Sequence, residues 1–370
     1  MLLSAAIIAR DEAEHLPGCL ESISEVVDEI IVVDTGSTDT TVDLARAAGA
    51  TVASRPWDDD FGAARNAAID LARGRWILYI DADERLTAAP ELRDHLAATS
   101  AVAGRVRFRP RRRSTRYREY RLFRNRPDIR FRGAMHETMV PDIERIVATE
   151  GAAVIDVPAD IDHFGYDGDQ EAKHRRNLPL LQRQLAEDPT RIYLWFHLGV
   201  VHEGLGDTDA AEAAWARGVA VARRQLEPSP LSVLVYVKLA LLRLHRGRPV
   251  DGLVAELRDR FPRDPLTAWV SAHEAMASGR WDEAVPLLEG LAGVDEVALI
   301  HPVLSYDVRL FGEFAAHHLG LCWFHLGDDA RAEHWFAIAA EAAPDIEEYR
   351  LKHQLVAARA ARAASLTARS

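Results

Sequence analysis

Along the first hundred residues, short apolar runs alternate with stretches whose apolar positions recur at helical spacing. Residues 3–8 form an apolar run suited to a buried strand, and residues 14–23 place Leu16, Leu20 and Ile23 on one helical face. Residues 29–33 are a second apolar run, rich in β-branched side chains, which ends in Asp34-Thr35-Gly36-Ser37. Ser37 or Thr38 is placed to cap a helix through residue 48, and Gly49 to end it. Residues 50–53 predict a third strand, residues 62–72 a helix, and residues 76–80 a fourth strand running straight into Asp81-Ala82-Asp83. This alternation predicts an open parallel sheet with helices on its faces. Ligands of such sheets bind at the carboxyl ends of the strands, where the polar clusters of this chain fall.

From about Tyr193 the pattern changes to amphipathic helices joined by Gly-containing turns. Ala316, Leu319, Gly320, Trp323, Gly327, Asp328, Ala332, Phe336, Ala339 and Pro344 fit the 34-residue tetratricopeptide pattern. A second copy runs through Trp195, Leu198, Gly199, Gly206, Ala211 and Trp215, and weaker copies surround Gly247 and Gly279. Small residues let paired helices approach, and large ones fill the space to the next repeat. The expected organisation is an α/β domain over residues 1–170, a connecting helix or linker over 171–192, and all-α tetratricopeptide-like repeats over 193–360.

The length of 370 residues suits two domains. Only two cysteines occur, Cys19 and Cys322, so no disulfide framework supports the chain and a reducing, cytoplasmic setting is expected. The apolar N-terminus lacks a basic leader, and nowhere do about 18 apolar residues run together, so neither a signal peptide nor a membrane span is expected. A net charge of −12 argues against nucleic acid as a partner. One block departs from that balance: between Arg105 and Arg132, thirteen arginines face two acids, Glu119 and Asp128. A solvated face is the ordinary reading of a charge run. The interleaved Val106, Phe108, Tyr117, Tyr120, Leu122 and Phe123 point instead to strands lining a surface that meets an anion.

Asp81 and Asp83 follow an apolar strand and can converge on a hard cation, whose remaining ligands come from substrate phosphates. A capped turn would use the same residues. Asp34 ends another strand, where its carboxylate can bind a base or ribose. Arg65 lies on the first turns of a helix, suited to a diphosphate, although a surface arginine is the simpler reading there.

Together and in this order, the clusters resemble family 2 glycosyltransferases, which have the GT-A (Rossmann-like) fold. The segments that carry the resemblance are Ile8-Ala-Arg-Asp-Glu12, Asp28 through Asp39, Phe61-Gly-Ala-Ala-Arg-Asn66 and Trp76 through Glu84. The subgroup it resembles holds lipopolysaccharide-core glucosyltransferases and bacteriocin S-glycosyltransferases. Asp11 departs from it, since many relatives have Asn there. The resemblance implies that Ala9 and Glu12 line the nucleotide pocket, with Asp34 on the base or ribose and Arg65 on the diphosphate. It implies Asp81 and Asp83, flanking Ala82, as a pair for Mn²⁺ or Mg²⁺, with Asp83 the direct ligand and His163 completing the shell. Arg121-Leu-Phe-Arg124-Asn125 and Phe131 through Glu137 look like the acceptor half. Glu137 is then the candidate base, His136 its orienting or phosphate-binding neighbour, and Glu84 and Asp142 the next candidates for the base.

The function expected is inverting, metal-dependent transfer from a nucleotide-diphosphate sugar, UDP-linked, to a protein, peptide or cell-envelope glycan. Nucleotidyl transfer also uses strand-end carboxylates, but it needs a Gly-rich loop where this chain has Ala9-Arg10-Asp11-Glu12. The alternative from another class is a tetratricopeptide adaptor carrying an inactive transferase domain. The repeats would either hold a protein or peptide acceptor or stabilise the catalytic domain or a homodimer.

Overall fold

The computed structural model describes residues 1–165 and 170–367. It divides into two compact units. The first comprises Met1–Pro189 with Gly204–Gly206 and Ile300–Ser305, and the second holds the remaining described residues.

The first unit is built on eight strands: β1 (Leu3–Ala9), β2 (Glu29–Asp34), β3 (Thr51–Ser54), β4 (Trp76–Tyr79), β5 (Glu84–Ala88), β6 (Ala103–Arg109), β7 (Tyr117–Arg124) and β8 (Val154–His163). Its helices are α1 (Leu16–Ile23), α2 (Thr41–Ala47), α3 (Phe61–Leu71), α4 (Leu92–Ala98), α5 (Val140–Glu150) and α6 (Gln170–Glu187). The sheet runs β3-β2-β1-β4-β7-β6-β8-β5. Its first four strands are parallel, as the alternating pattern implied. Beyond β4 the sheet is mixed: β7 is antiparallel to both β4 and β6, while β6 and β8 are parallel. The order reverses at β1, with β2 on one side and β4 on the other. That is the switch point at which α/β sheets bind ligands.

The first apolar runs are continuous because both faces of the sheet are covered. Leu3, Ala5 and Ile7 of β1, with Trp76 and Leu78 of β4, pack against Leu16, Cys19, Leu20 and Ile23 of α1. On the opposite face Ala6, Ile77, Tyr79 and Phe123 meet Ala68 and Ile69 of α3 and Ile143 and Ile146 of α5. Each fully buried side chain of this size contributes about 1.5–3 kcal/mol.

The strands of the arginine-rich block form as expected, but six of its thirteen arginines are answered by carboxylates within the sheet. Arg105, Arg107 and Arg109 of β6 pair with Asp156, Asp160 and Asp162 of β8 at 2.9, 2.5 and 3.0 Å. Arg116 and Arg118 join the same carboxylates. The β6 arginines expected to meet an external anion therefore meet the neighbouring strand, at about 0.2–1 kcal/mol for each exposed pair.

The segment Ile300–Ser305 also belongs to this unit. Tyr117 and His301 form a parallel bridge, Arg118 donates its amide to the His301 carbonyl at 3.0 Å, and Ser305 Oγ donates to the Thr115 carbonyl. Strand β4 pairs only with residues 122–124 of β7, so this segment covers the part of that edge that β4 leaves open.

The second unit is helical: α7 (Ile192–Gly204), α8 (Thr208–Ala222), α9 (Ser232–His245), α10 (Asp251–Arg260), α11 (Pro265–Ala277), α12 (Trp281–Ala292), a short 3₁₀ turn (Val308–Leu310), α13 (Glu313–His325), α14 (Asp329–Ala342) and α15 (Glu347–Thr367). The repeat residues have identifiable physical roles. A methyl group on Gly199 would strike the buried Trp215 ring, and one on Gly320 the Phe336 ring, so glycine sets how closely each helix pair packs. In the Gly-Asp pairs at 206–207 and 327–328 the glycine takes positive φ, and the aspartate caps the next helix by accepting from Ala210 N or Arg331 N. An α/β domain followed by an all-helical repeat region is the architecture expected from the pattern.

Candidate active site

The residues expected on the nucleotide side sit on two loops joined by hydrogen bonds. Strands β1 and β2 end side by side, with Ala9 in register with Asp34. Asp11 holds φ at +53°, a conformation that Asp and Asn tolerate best after glycine. Its Oδ1 accepts from Thr38 N and Oγ1, at 2.6 and 3.0 Å. Ser37 Oγ accepts from Asp11 N, and Thr41 Oγ1 from Glu12 N. These bonds explain why the departure from Asn at Asp11 is mild: an Asn carbonyl can accept the same bonds. They also correct the helix cap. Helix α2 begins only at Thr41, behind Thr40, because Ser37 and Thr38 are engaged with the β1 loop. Asp34 is buried and accepts from Gly36 N and Ser37 N, so it shapes its own loop.

The turn after β4 gathers the remaining residues. Asp60 caps α3 through Ala63 N at 2.8 Å, which sets Arg65 against the rings of Tyr79 and Phe131. Arg65 donates from Nη1 to Asp81 Oδ1 at 2.7 Å and from Nε to Glu137 Oε1 at 2.5 Å. Asp83 Oδ2 lies 3.0 Å from His163 Nε2, and Phe164 N donates to the Asp83 carbonyl. Gly165 passes so close to Asp83 that an added methyl would lie 2.7 Å from the aspartate Cβ. Ala82 is buried between the two carboxylates. Residues from four separate stretches thus come together in two groups, Asp81–Arg65–Glu137 and Asp83–His163, joined by the Asp81–Asp83 turn. His136 precedes Glu137 with φ of +50°, in a tight hairpin closed by reciprocal backbone bonds between Arg132 and Thr138.

The charges of this cluster are mutually dependent. Burial, then the charges of Asp83 and Asp81, push Glu12 up to about 7. Burial opposes ionisation of Asp81 as well, but Arg65 and Arg121 outweigh it and hold Asp81 at about 2. Burial would lower His163; the hydrogen bond and charge of Asp83 prevail and raise it.

Several supporting residues carried no separable signal in sequence. Asn66 donates to the Phe131 carbonyl at 2.9 Å and accepts from Phe131 N at 2.8 Å, tying α3 to the hairpin that bears Glu137. Gln184 of α6 accepts from the buried Met135 N. The segment from Arg121 to Asn125, read as acceptor-facing, works within the fold instead. Arg121 is buried against Glu84, Leu122 and Phe123 are core, Arg124 donates to the Ala101 carbonyl, and Asn125 to those of Ala72 and Gly74. The substitute bases are placed likewise. Glu84 is 1% exposed and paired to Arg121, while Asp142 is 3% exposed and binds Arg130 N and Arg132. Neither is open to an acceptor.

The mixed sheet, with carboxylates at its strand ends, is the GT-A architecture expected from the resemblance. The glycosyl transferase family 2 model matches residues 4–148. A TPR repeat-containing protein of Synechococcus elongatus is 40% identical over 285 residues, which cover 73% of this chain and 69% of that protein. The SPbeta prophage-derived glycosyltransferase SunS of Bacillus subtilis is 37% identical over 83 residues, covering 22% of this chain and 20% of that one. Among solved structures, glucosyl-3-phosphoglycerate synthase from Mycobacterium tuberculosis, in complex with Mn²⁺ and uridine-diphosphate-glucose, is 17% identical with a TM-score of 0.37, covering 50% of this chain and 78% of that one. The chain belongs to glycosyl transferase family 2 and carries a tetratricopeptide-like region behind its transferase domain. It is a glycosyltransferase.

Proposed function

We propose that the transferase domain, residues 1–170, moves a sugar from a UDP-linked donor to an acceptor nucleophile by a single inverting displacement. The observation that carries this reading is the turn at the end of β4, where Arg65 joins Asp81 to Glu137 and His163 meets Asp83. Ala9, Glu12 and Asp34 line the nucleotide side, Arg65 steadies the diphosphate, and Glu137 takes the acceptor proton on the opposite face of the sugar. The anomeric carbon–phosphate oxygen bond breaks as the bond to the acceptor forms, through an oxocarbenium-like transition state. His136 orients Glu137.

The residues present fit Mn²⁺ or Mg²⁺. Among the described residues no group of three or more His, Cys, Asp and Glu side chains is arranged to hold a metal by itself. Such a cation takes one or two carboxylates and fills its shell with phosphate oxygens and water. Asp81 already serves Arg65, which supports Asp83 as the direct ligand, with the His163 imidazole beside it able to join. When bound, the cation supplies neutralisation of the charge that develops on the leaving diphosphate.

The acceptor is a protein or peptide held by the repeats (residues 193–360, behind a linker at 171–192) or a cell-envelope glycan. The alternative roles for the repeats are stabilising the catalytic domain or a homodimer. Both buried cysteines are free, which supports a reducing, cytoplasmic setting; among the described residues no helix is long and apolar enough to cross a membrane. An adaptor with an inactive domain is disfavoured because Asp81, Asp83, Arg65 and Glu137 are all present and assembled.

A thermal-shift panel of nucleotide sugars, with and without Mn²⁺, tests the reading on the full chain and on Asp83→Ala. UDP-sugars should raise the midpoint only with Mn²⁺, and Asp83→Ala should abolish the shift. Stabilisation that needs no metal and survives in Asp83→Ala overturns the cation assignment.

A further inference from the structure

We infer that Glu84 and Arg121 form a positioning pair that sets the geometry of the Asp81–Asp83 turn. The inference deepens the proposed function, since it rests on that turn being the cation site.

Where β4 ends, the chain leaves the sheet and the Asp81 amide loses the ladder as a source of acceptors. Glu84 Oε2 supplies one at 2.9 Å, while Glu84 N donates back to the Asp81 carbonyl at 3.0 Å. These reciprocal bonds close the turn over Ala82 and Asp83. The Glu84 carboxylate is itself fixed by a two-pronged guanidinium: Arg121 Nη1 reaches Oε2 at 2.9 Å and Nη2 reaches Oε1 at 2.8 Å. Arg121 is held in turn over the rings of Tyr79 and Phe108, each 4.5 Å from its guanidinium carbon. Glu84 also opens β5 in register with His163, the neighbour of Asp83. One carboxylate therefore indexes the turn, the strand bearing His163 and, through Arg121, the sheet.

Stability alone does not call for such a pair. Glu84 and Arg121 are 1% and 4% exposed, and well-packed hydrophobic residues are often as stabilising as a buried ion pair. What apolar side chains cannot supply is an acceptor for the Asp81 amide at a fixed place. Lysine cannot supply the fork either, because its ammonium is a point charge without planar two-pronged geometry.

The test uses full-length Arg121→Lys, which keeps the charge and loses the fork. The double variant Glu84→Gln with Arg121→Gln keeps hydrogen bonding and removes the charge of the pair without stranding either partner, and it serves if the lysine variant does not fold. Two readouts are taken: Mn²⁺ affinity in the presence of UDP, from the free-Mn²⁺ electron spin resonance signal, and amide hydrogen exchange of residues 81–84. Removing a supporting partner of this kind weakens metal binding by about 10–100-fold. The 81–84 amides should exchange about tenfold faster or more, while those of β2 keep their protection. Unchanged exchange at 81–84 in a folded variant overturns the inference, as does exchange that rises equally everywhere, which marks a purely structural pair. If the wild-type protein binds no Mn²⁺ with UDP, the cation reading of the site fails, and exchange alone still decides whether the pair holds the turn.

Discussion

Gly165→Ala perturbs the proposed cation site without removing any of its chemistry. A methyl group at this position would lie 2.7 Å from Asp83 Cβ and still closer to the carboxylate. Ordinary carbon–carbon contact begins near 3.5 Å, so Asp83 has to retreat by roughly 1 Å. Metal ligands hold their distances within about 0.2 Å, and a 1 Å misplacement near the chemistry costs about 10²-fold in rate. The variant should therefore lose about two orders of magnitude in kcat/KM for UDP-sugar hydrolysis at limiting Mn²⁺, with half-saturation shifted to higher Mn²⁺. Gly165 lies just beyond the end of β8, so the melting midpoint should stay within about 3 °C. The assay is UDP release across a Mn²⁺ titration on four proteins: wild type, Gly165→Ala, Asp83→Ala and the double variant. If the methyl acts through Asp83, the double variant is no worse than Asp83→Ala alone. Wild-type rate and Mn²⁺ requirement in Gly165→Ala, or losses that multiply in the double variant, would refute the placement of Asp83.

Glu137→Gln should leave donor binding intact and slow transfer by about 10²–10⁴-fold; more than about a tenth of the wild-type rate would mean that the base is another group. Asn66→Ala leaves the Phe131 amide and carbonyl without their partner, a cost of about 2–3 kcal/mol in chemical denaturation, and a loss under about 0.5 kcal/mol would show that the hairpin does not depend on it. The metal-free protein should lose stability between pH 4.5 and about 7, where the unfolded chain releases the Glu12 proton and the folded chain still holds it. The Glu12 contribution is complete below pH 4.5 and is lost as the pH rises through about 7. Glu12→Gln should flatten that part of the stability–pH curve, measured by denaturation without metal, and an unchanged slope would remove Glu12 from the cluster.

The parts of this molecule legible from its sequence were those with a local signature. Strands β1, β2 and β4 announced themselves because a strand buried on both faces must be apolar throughout, and the repeats because glycine, alanine and aromatic side chains recur at fixed spacing. The residues around Asp81 and Asp83 were legible through resemblance, which supplied the order of the clusters. What the sequence could not disclose was pairing between strands far apart in the chain. Arg105, Arg107 and Arg109 read as a cationic surface because Asp156, Asp160 and Asp162 lie about fifty residues away, and only the register of β6 against β8 brings them opposite. Arg121 was assigned to the acceptor for the same reason: nothing local says that a strand arginine faces inward toward Glu84. Asn66 was visible only as an amide beside Arg65, since its partner Phe131 is reached through the fold.

The bridge between Tyr117 and His301 has a consequence for how the molecule is made. β7 leaves the ribosome about 180 residues before the backbone that covers its open edge. At about 5–20 residues per second that wait lasts on the order of ten seconds or more. Throughout it, unpaired amide and carbonyl groups beside the catalytic sheet are exposed to any passing strand. Closing so long a loop costs only slightly more entropy than closing a short one, so delay rather than equilibrium is the hazard. The transferase unit therefore cannot be completed from the N-terminal half of the chain. A protein ended near Asp188 lacks residues 300–305 together with the repeats, and its failure to fold or act would say nothing about whether the repeats recruit an acceptor.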